Sequence, residues 1–201
     1  MGLRRVANPP ARTIAFISAR NLFAHRGCEA LFVLRRESRL KGTYTLLLVC
    51  KEPFRVRIGR LGQAKIDAGH YLYTGSALGG GAQSLEGRLK RHAEPSKKMR
   101  WHVDYLTSNP RCKITGAVWL ESPRRVECAI NRAVSNQLGV KPVLPRAGSS
   151  DCKCDAHLMK VRSPIGPRRI SGLLVRVYRR FGRHVRSTRS ANSLRLSFRK
   201  P

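Results

Sequence analysis

Residues 42–49 read Gly-Thr-Tyr-Thr-Leu-Leu-Leu-Val, and residues 69–75 read Gly-His-Tyr-Leu-Tyr-Thr-Gly. Both stretches are rich in β-branched, aromatic and apolar side chains and both begin at a glycine, which is typical of strands. Because side chains alternate along a strand, Tyr71, Tyr73 and Gly75 share one face. The pair of stretches predicts a small, mainly antiparallel sheet.

Further elements follow on both sides of these strands. Arg55-Val56-Arg57-Ile58 alternates and predicts a half-exposed strand before the second tyrosine stretch. Helical spacing, caps and β-branched runs predict the rest of the domain. The expected elements are a helix over 85–94 capped by Ser84, a short helix over 101–106, a strand over 114–120, a helix from Ser122-Pro123 to Leu138 ended by Gly139, and a strand over 157–161. The predicted class is α/β of the α+β type, a small sheet flanked by helices.

The charge of the chain indicates a polyanionic partner. The 201 residues carry 41 Lys and Arg against 11 Asp and Glu, a formal net charge of +30. Nucleic acid is the commonest partner for such a charge. The longest clean apolar run, 46–50, is far shorter than a membrane span, so no membrane segment is predicted.

Basic extensions are expected at both ends of the domain, which we place at 42–162. Residues 1–41 hold no acid before Glu29 and are predicted to be a largely disordered basic arm; an organelle-targeting peptide is the minor alternative. Residues 163–201 hold 11 Lys and Arg and no acid. We expect one helix over about 169–182 there and disorder elsewhere in the tail.

Short motifs in a fixed order carry a family resemblance. The order is Gly42-x-Tyr44, Tyr73-x-Gly75, Arg88-x-x-x-His92 and Glu127. It resembles the GIY-YIG nuclease superfamily, with threonine in place of isoleucine at both motif centres. The stretches at 73–79, 101–106 (Trp-His-Val-Asp-Tyr-Leu) and 150–158 (Ser-Asp-Cys-Lys-Cys-Asp-Ala-His-Leu) resemble one mostly archaeal branch of that superfamily, of unknown function.

The resemblance implies a role for each matching residue. Tyr44 would be the general base that deprotonates the attacking water, and Tyr73 would position water or phosphate. Arg88 would bind the scissile phosphate and offset charge in the transition state. Glu127 would hold one divalent ion, Mg²⁺ or Mn²⁺, with water and phosphate oxygens completing its coordination. Gly75 would allow a close backbone approach.

Each of these residues also has a structural interpretation. The tyrosines could be ordinary sheet residues, Arg88 could belong to a solvated face, and Glu127 could pair with Arg124 at its helix N-terminus. The order of the motifs favours the site interpretation for the tyrosines and Arg88. For Glu127 the two interpretations are equally weighted.

Other residues are second-rank candidates. We expect His92, His102 and Asp104 to support the site, with His92 on the helix face of Arg88. Further basic side chains are candidates for phosphate contacts: Lys90, Arg91, Lys97, Lys98 and Arg100.

The cysteines leave two interpretations open. Cys152, Cys154 and His157 could begin a zinc site, with a fourth ligand from Cys128 or Cys112. Because Cys-x-Cys is not the usual spacing, free buried thiols are favoured over zinc. Six cysteines without a disulfide pattern suit a reducing compartment, so we expect a cytoplasmic protein, for which association with the nucleoid is one option.

Three functions are compatible with these features. The first is a metal-dependent endonuclease of GIY-YIG type, acting on DNA in preference to RNA. The second is a nucleic-acid-binding module that keeps the fold without cleaving. A ribosome-associated basic protein ranks last, because it leaves the motifs of the domain unexplained.

Overall fold

The computed structural model describes residues 40–162 and 164–190. Its centre is a six-stranded antiparallel sheet with the strand order β6-β7-β4-β1-β5-β8. These strands are β1 (Gly42–Cys50), β4 (Gly69–Ala77), β5 (Cys112–Glu121), β6 (Val140–Pro142), β7 (Leu158–Val161) and β8 (Val185–Thr188). The short strands β2 (Phe54–Arg57) and β3 (Gln63–Ile66) form a separate hairpin. Together with four helices, the sheet confirms the predicted α+β class.

Strand β1 lies at the centre because both of its faces are buried. Every residue from Gly42 to Leu48 is buried, and β1 pairs along its whole length with β4 on one side and β5 on the other. A strand buried on two faces is expected to be apolar, as 46–50 is, and in the polar first half the buried Thr45 hydroxyl is hydrogen-bonded to Thr74 and Tyr178.

The helices are α1 (Leu85–Ala93), α2 (Asp104–Thr107), α3 (Glu127–Leu138) and α4 (Pro167–Arg179). Helix α1 begins where predicted, since the Ser84 hydroxyl accepts a hydrogen bond from the Gly87 amide at 3.1 Å. Helix α3 ends as predicted at Gly139, whose φ of 56° favours glycine.

Two predicted helix starts are wrong. Helix α3 begins at Glu127 rather than at Ser122-Pro123, because the Ser122 hydroxyl accepts from the Arg124 amide at 3.1 Å within a turn instead of capping the helix. The short helix predicted over 101–106 begins only at Asp104. The Asp104 carboxylate instead binds the backbone N–H groups that precede it.

A separate apolar core covers each face of the sheet. The first core joins β1, β4 and β5 to α1, α2 and the β2–β3 hairpin, with Leu46, Leu89 and Leu106 fully buried. The second core lies between the opposite face and helices α3 and α4, and includes Leu47, Ile130 and Leu174. The motif tyrosines Tyr44 and Tyr73 belong to the first core.

The C-terminal segment extends the fold beyond the boundary placed at 162. Helix α4 buries Ile170, Leu174, Val177 and Tyr178 in the second core, and β8 pairs with β5 at the sheet edge. The predicted disorder after the helix is therefore wrong for 185–188. An edge strand gains backbone hydrogen bonds that do not depend on composition, which is why an Arg-rich stretch can form one. Residues 1–39 and 191–201, and the predictions made for them, lie outside the described residues.

One disulfide corrects the expectation that the cysteines are free thiols. Cys50 ends β1 and Cys112 begins β5, and the two residues face each other in the strand register. Their sulfur atoms are bonded. This pairing also removes Cys112 from the possible metal ligands.

Across the described residues, none of the helices has the length and hydropathy that a membrane crossing requires.

Candidate active site

The register of the central strands explains why a glycine follows the second tyrosine. Tyr44 on β1 lies directly opposite Gly75 on β4. A Cβ atom at position 75 would lie 2.8 Å from the Tyr44 hydroxyl oxygen and 2.9 Å from Cζ, inside normal contact distance. The ring of Tyr44 therefore occupies the space that any larger residue at 75 would need. Tyr73 lies on the same face, with its ring centroid 6.3 Å from that of Tyr44.

His92 lies beneath the two tyrosines, on the inner face of α1. Its Nε2 is hydrogen-bonded to the Tyr44 hydroxyl at 2.8 Å, and the ring contacts Tyr73 and Trp101 at centroid distances of 5.8 and 5.3 Å. Burial lowers the pKa of His92 below its usual value, although the carboxylate of Asp104 raises it in part. The imidazole is therefore neutral at neutral pH, and it does not supply the cation that a Tyr44 phenolate would need.

The carboxylate of Asp104 faces the other ring nitrogen of His92 and is held by several hydrogen-bond donors. It accepts two hydrogen bonds from Arg91 Nη1, each at 3.1 Å, and one from each of the Arg100 and Trp101 amides at 2.9 and 3.0 Å. Burial alone would raise the pKa of Asp104, but His92 and these backbone donors hold it well below its usual value. The Asp104 carboxylate lies 3.7 Å from His92 Nδ1, which favours the tautomer with its proton on Nδ1.

Burial also raises the pKa values of the two tyrosines. It raises the pKa of Tyr44 well above its usual value, and the positive charge of Arg88 offsets only part of this effect. Burial likewise raises the pKa of Tyr73, with a further contribution from Tyr44. Both phenols are protonated at neutral pH.

Arg88 lies one helical turn before His92 on α1. Its Nη2 donates to the side-chain oxygen of Gln83 at 2.8 Å, and its guanidinium carbon lies 4.9 Å from the ring centroid of Trp101. Arg91 approaches the same ring at 4.3 Å. Such stacking holds a guanidinium in place without neutralising its charge.

Glu127 begins α3 and has 7% of its surface exposed. Its Oε1 accepts a hydrogen bond from His157 Nδ1 at 2.8 Å. The alternative pairing with Arg124 is not the arrangement found among the described residues, because the Glu127 carboxylate is hydrogen-bonded to His157 instead.

Some of the predicted site residues line a single cavity of about 590 Å³. Tyr73, Arg88, His102 and Glu127 all lie on its wall. The full lining is Tyr73, Ser76, Leu78, Gly79, Gln83, Arg88, Arg100, Trp101, His102, Arg125, Glu127, Gly148, Ser150 and Asp151. The other predicted site residues, Tyr44, Gly75, His92 and Asp104, do not line the cavity and lie beneath or behind this wall.

The comparison with known families can now be placed beside this geometry. A family model described as a domain of unknown function, DUF123, matches residues 43–177. The chain belongs to the DUF123 family. No curated protein and no solved structure matches the chain. The DUF123 match includes every residue of the cavity wall and extends into α4, as the packing of that helix against the sheet requires.

The basic residues predicted to contact phosphate divide into two groups. Lys97 donates to the carbonyl oxygens of His92 and Glu94 at 2.7 and 2.8 Å, closing the C-terminal end of α1, and Arg91 holds Asp104. Lys90 pairs with Glu86. Lys98 and Arg100 are exposed, and Arg100 reaches the cavity. In this DUF123 domain, Lys98 and Arg100 are therefore better placed for phosphate contacts than Lys97 or Arg91.

Sequence reasoning gave no site role to several residues of the cavity wall, among them the charged or polar residues Gln83, Arg125 and Asp151. Gln83 positions Arg88, while Arg125 forms an ion pair with Asp151 across the mouth formed by two loops. Gln83 and Arg125 belong to no motif, and Asp151 lies in the 150–158 stretch but was given no role there. The positions of all three depend on loop conformations that sequence patterns do not predict. His102 was anticipated, and its Nδ1 accepts from the Gly148 amide at 2.8 Å.

The carboxylates of the cavity fit a divalent ion of the Mg²⁺ class. Glu127 lies on the wall with Oε1 bound to His157, which leaves Oε2 for a metal. Asp151 also lines the cavity, but it is paired with Arg125. A single carboxylate oxygen with water and phosphate oxygens is a donor set that Mg²⁺ accepts.

Proposed function

We propose that this chain is a metal-dependent endonuclease of GIY-YIG type that hydrolyses phosphodiester bonds in nucleic acid, DNA in preference to RNA. The observation that carries the proposal is the convergence of Tyr73, Arg88 and Glu127 on one cavity. These residues come from a strand and two different helices, and the order of their motifs predicted them as a set. An open, polar cavity with arginines on its wall suits a phosphodiester backbone.

Arg88 is the residue proposed to bind the scissile phosphate. Its guanidinium is stacked on Trp101 and hydrogen-bonded to Gln83, so it is held in place before substrate arrives. A positioned cation stabilises the charge that develops on phosphate oxygens without reorganising during the reaction. Arg100, on the same wall, would extend this contact along the backbone.

Glu127 is proposed to bind the divalent ion through Oε2. The ion would polarise the phosphate and stabilise negative charge there. The hydrogen bond from His157 to Oε1 orients the carboxylate before substrate arrives.

Tyr44 and His92 are proposed to carry the proton of the attacking water. Because Tyr44 lies beneath the cavity wall, this step requires substrate binding to uncover its hydroxyl. The water oxygen then forms a bond to phosphorus while its proton goes to the Tyr44 oxygen, and the Tyr44 proton passes along the 2.8 Å hydrogen bond to His92 Nε2. The resulting imidazolium faces the Asp104 carboxylate. The bond from phosphorus to the departing nucleoside oxygen breaks, and that oxygen takes a proton from solvent. This relay needs no free phenolate, which burial disfavours.

Because Tyr44 is fully buried and Tyr73 lines the cavity, substitution of each tyrosine separates their roles. Under the relay, Tyr44→Phe lowers the cleavage rate by about 10²–10⁴-fold. Tyr73→Phe, which removes only a positioning hydroxyl, has a smaller effect. A larger loss in Tyr73→Phe would assign the base to Tyr73 instead.

The decisive experiment incubates the full chain with labelled branched, single-stranded and duplex DNA and with RNA counterparts, in Mg²⁺, Mn²⁺ or EDTA. We expect metal-dependent cutting that is lost in Glu127→Ala and Arg88→Gln. The matched control is Glu52→Ala, which removes a carboxylate whose side chain is 70% exposed and which lies outside the cavity lining. Cutting that survives Glu127→Ala would refute the proposed metal ligand.

The second candidate is a binding module that keeps the fold without cleaving. The engagement of Glu127 Oε1 by His157 favours it, because half of the carboxylate already has a structural role. Binding without cutting in either metal, equal for the wild type and Glu127→Ala, would establish this function. Salt dependence alone does not separate the two, since any chain of this charge binds phosphates less tightly as salt rises.

A further inference from the structure

A second group of functional side chains lies beside the cavity, on the other side of Glu127. Cys128 follows Glu127 in the first turn of α3, Cys152 and Cys154 lie in the loop before β7, and His157 ends that loop. One potential ligand atom from each of the four residues lies within 4.8 Å of the others. We infer that Cys128, Cys152, Cys154 and His157 bind a structural zinc ion.

The donor set identifies the metal class. Three thiol sulfurs and one imidazole nitrogen are soft ligands, which select zinc and disfavour Mg²⁺ or Ca²⁺. In a tetrahedral site with Zn–S bonds of about 2.3 Å, neighbouring ligand atoms lie about 3.8 Å apart. The four atoms are already within 4.8 Å. A shift of at most about 1 Å, taken up by side-chain rotation, closes the tetrahedron.

His157 is held as zinc-binding histidines are held. Its Nδ1 donates to Glu127 Oε1 at 2.8 Å, and its Nε2 faces Cys152 Sγ at 3.6 Å. The hydrogen bond to the carboxylate keeps the proton on Nδ1, so the lone pair of Nε2 is directed into the cysteine cluster. Metal-ligating histidines in proteins usually donate their second N–H to a carboxylate or carbonyl in this way.

The loop that carries the cysteines is organised around the same centre. Arg146 donates to the carbonyl oxygens of Cys152 and Cys154, and Asn131 on α3 donates to the carbonyl of Ala156 at 2.8 Å. Cys128, Cys152 and Cys154 are all free thiols, whereas Cys50 and Cys112 form the disulfide. A bound ion would fasten this irregular loop to α3 at a position where strands and helices supply few contacts.

A bound zinc ion would also hold in place part of the wall of the cavity that Glu127 lines. Glu127 contacts one ligand and precedes another in the chain, and Gly148, Ser150 and Asp151 of the same loop line the cavity. Zinc binding therefore fixes both the Glu127 carboxylate and one wall. The effect of zinc on cleavage rests on the proposed function, but the existence of the site does not.

The test measures the metal directly. The full chain, purified without chelators, is expected to contain about one zinc per chain by elemental mass spectrometry. After replacement of zinc by Co²⁺, we expect the intense visible absorption of tetrahedral cobalt–thiolate coordination. A chain that contains no zinc, takes up no Co²⁺ with that spectrum and has freely titratable thiols at Cys128, Cys152 and Cys154 would overturn the inference. So would a native disulfide between any two of Cys128, Cys152 and Cys154.

Variants assign the ligands. Cys152→Ser and Cys154→Ser are expected to lose the cobalt–thiolate spectrum, whereas the double variant Cys50→Ser/Cys112→Ser and the variant Cys28→Ser are expected to keep it. Retention of the full spectrum in Cys152→Ser would contradict the assignment. Because a ligand variant can fail to fold, the zinc content and cobalt spectrum of the wild-type chain decide the question independently.

Glu127→Gln tests the link between the two sites without removing a ligand. Weakening the carboxylate–histidine hydrogen bond is expected to lower zinc affinity by about 10–100-fold in a chelator competition. Asp155→Asn is the control, since Asp155 is an exposed carboxylate in the same loop. Equal affinities for Glu127→Gln and the wild type would refute the link. These measurements use no nucleic acid, so they stand whether or not the chain cleaves it.

Discussion

Replacement of Gly75 by alanine tests the packing of the two tyrosine motifs. The added Cβ would lie 2.8 Å from the Tyr44 hydroxyl oxygen, 2.9 Å from Tyr44 Cζ and 3.1 Å from Tyr73 Cε1. Ordinary contacts between such atoms are about 3.5–4.0 Å, so at least one ring must move by several tenths of an ångström. Tyr44 and Tyr73 are both buried, which leaves little room for that movement.

The free energy of unfolding should fall by about 2–6 kcal/mol. Overpacking a well-filled core costs about 1–3 kcal/mol. Moving Tyr44 also breaks its buried hydrogen bond to His92, and a buried polar group left without a partner costs about 1–3 kcal/mol. A loss of this size is a large part of the net stability of a domain, about 5–15 kcal/mol.

Urea unfolding of the full chain, followed by circular dichroism, measures this loss. Gly172→Ala is the matched control, because Gly172 lies in α4 and a Cβ there meets no atom within 4 Å. The same substitution at that position should raise stability by about 0.5–1 kcal/mol. If Gly75→Ala unfolds within about 0.5 kcal/mol of the wild type, the reasoning about the close approach is refuted.

Three further predictions follow from the packing and the electrostatics. A chain ending at Arg162 loses α4 and uncovers Leu47, Val118 and Leu120. Since burial of these three side chains is worth about 5–9 kcal/mol, we expect no cooperative thermal unfolding, and a sharp transition would contradict this. Burial lowers the pKa of His92, so below about pH 6.5 the unfolded chain takes up a proton before the folded chain does, and the free energy of unfolding falls as the pH falls. A plot of the denaturant midpoint against pH between pH 5 and 8 should therefore be less steep for His92→Gln than for the wild type. An unchanged steepness would count against a buried neutral imidazole. Lys97→Met should cost about 1 kcal/mol of stability without changing the salt dependence of nucleic-acid binding. Lys98→Met, at an exposed position, should leave stability within about 0.5 kcal/mol of the wild type and reduce by about one the slope of the logarithm of the binding constant against the logarithm of the salt concentration. Equal behaviour of the two variants in both assays would contradict this division.

Local patterns predicted the central elements of the fold well. The alternation of Tyr71, Tyr73 and Gly75 predicted their common face, and Ser84 predicted the start of α1. The same kind of reasoning was wrong for the start of α3, because Ser122 forms a turn with Arg124 instead of a cap. It was also wrong for 185–188, where pairing with β5 overrides an Arg-rich composition.

The site could be predicted as a set of residues but not as a geometry. The order of the motifs predicted Tyr73, Arg88 and Glu127 together, and the three lie on one cavity wall. It did not predict that Tyr44 lies beneath the wall with its hydroxyl on His92, or that Lys97 closes the end of α1. Those contacts depend on how α1 packs against the sheet, which no short stretch of sequence encodes.

The sequence by itself determined the elements whose causes are local: the strands that begin at Gly42 and Gly69, the capped helix α1, and the residue types that line the cavity. Only the tertiary structure decided which distant residues meet. It paired Cys50 with Cys112, placed His157 on Glu127, and brought Cys128 to Cys152 and Cys154. Periodicity and caps act over a few residues, whereas these contacts join residues 24–62 positions apart once the sheet has formed its register and the loops have closed over it.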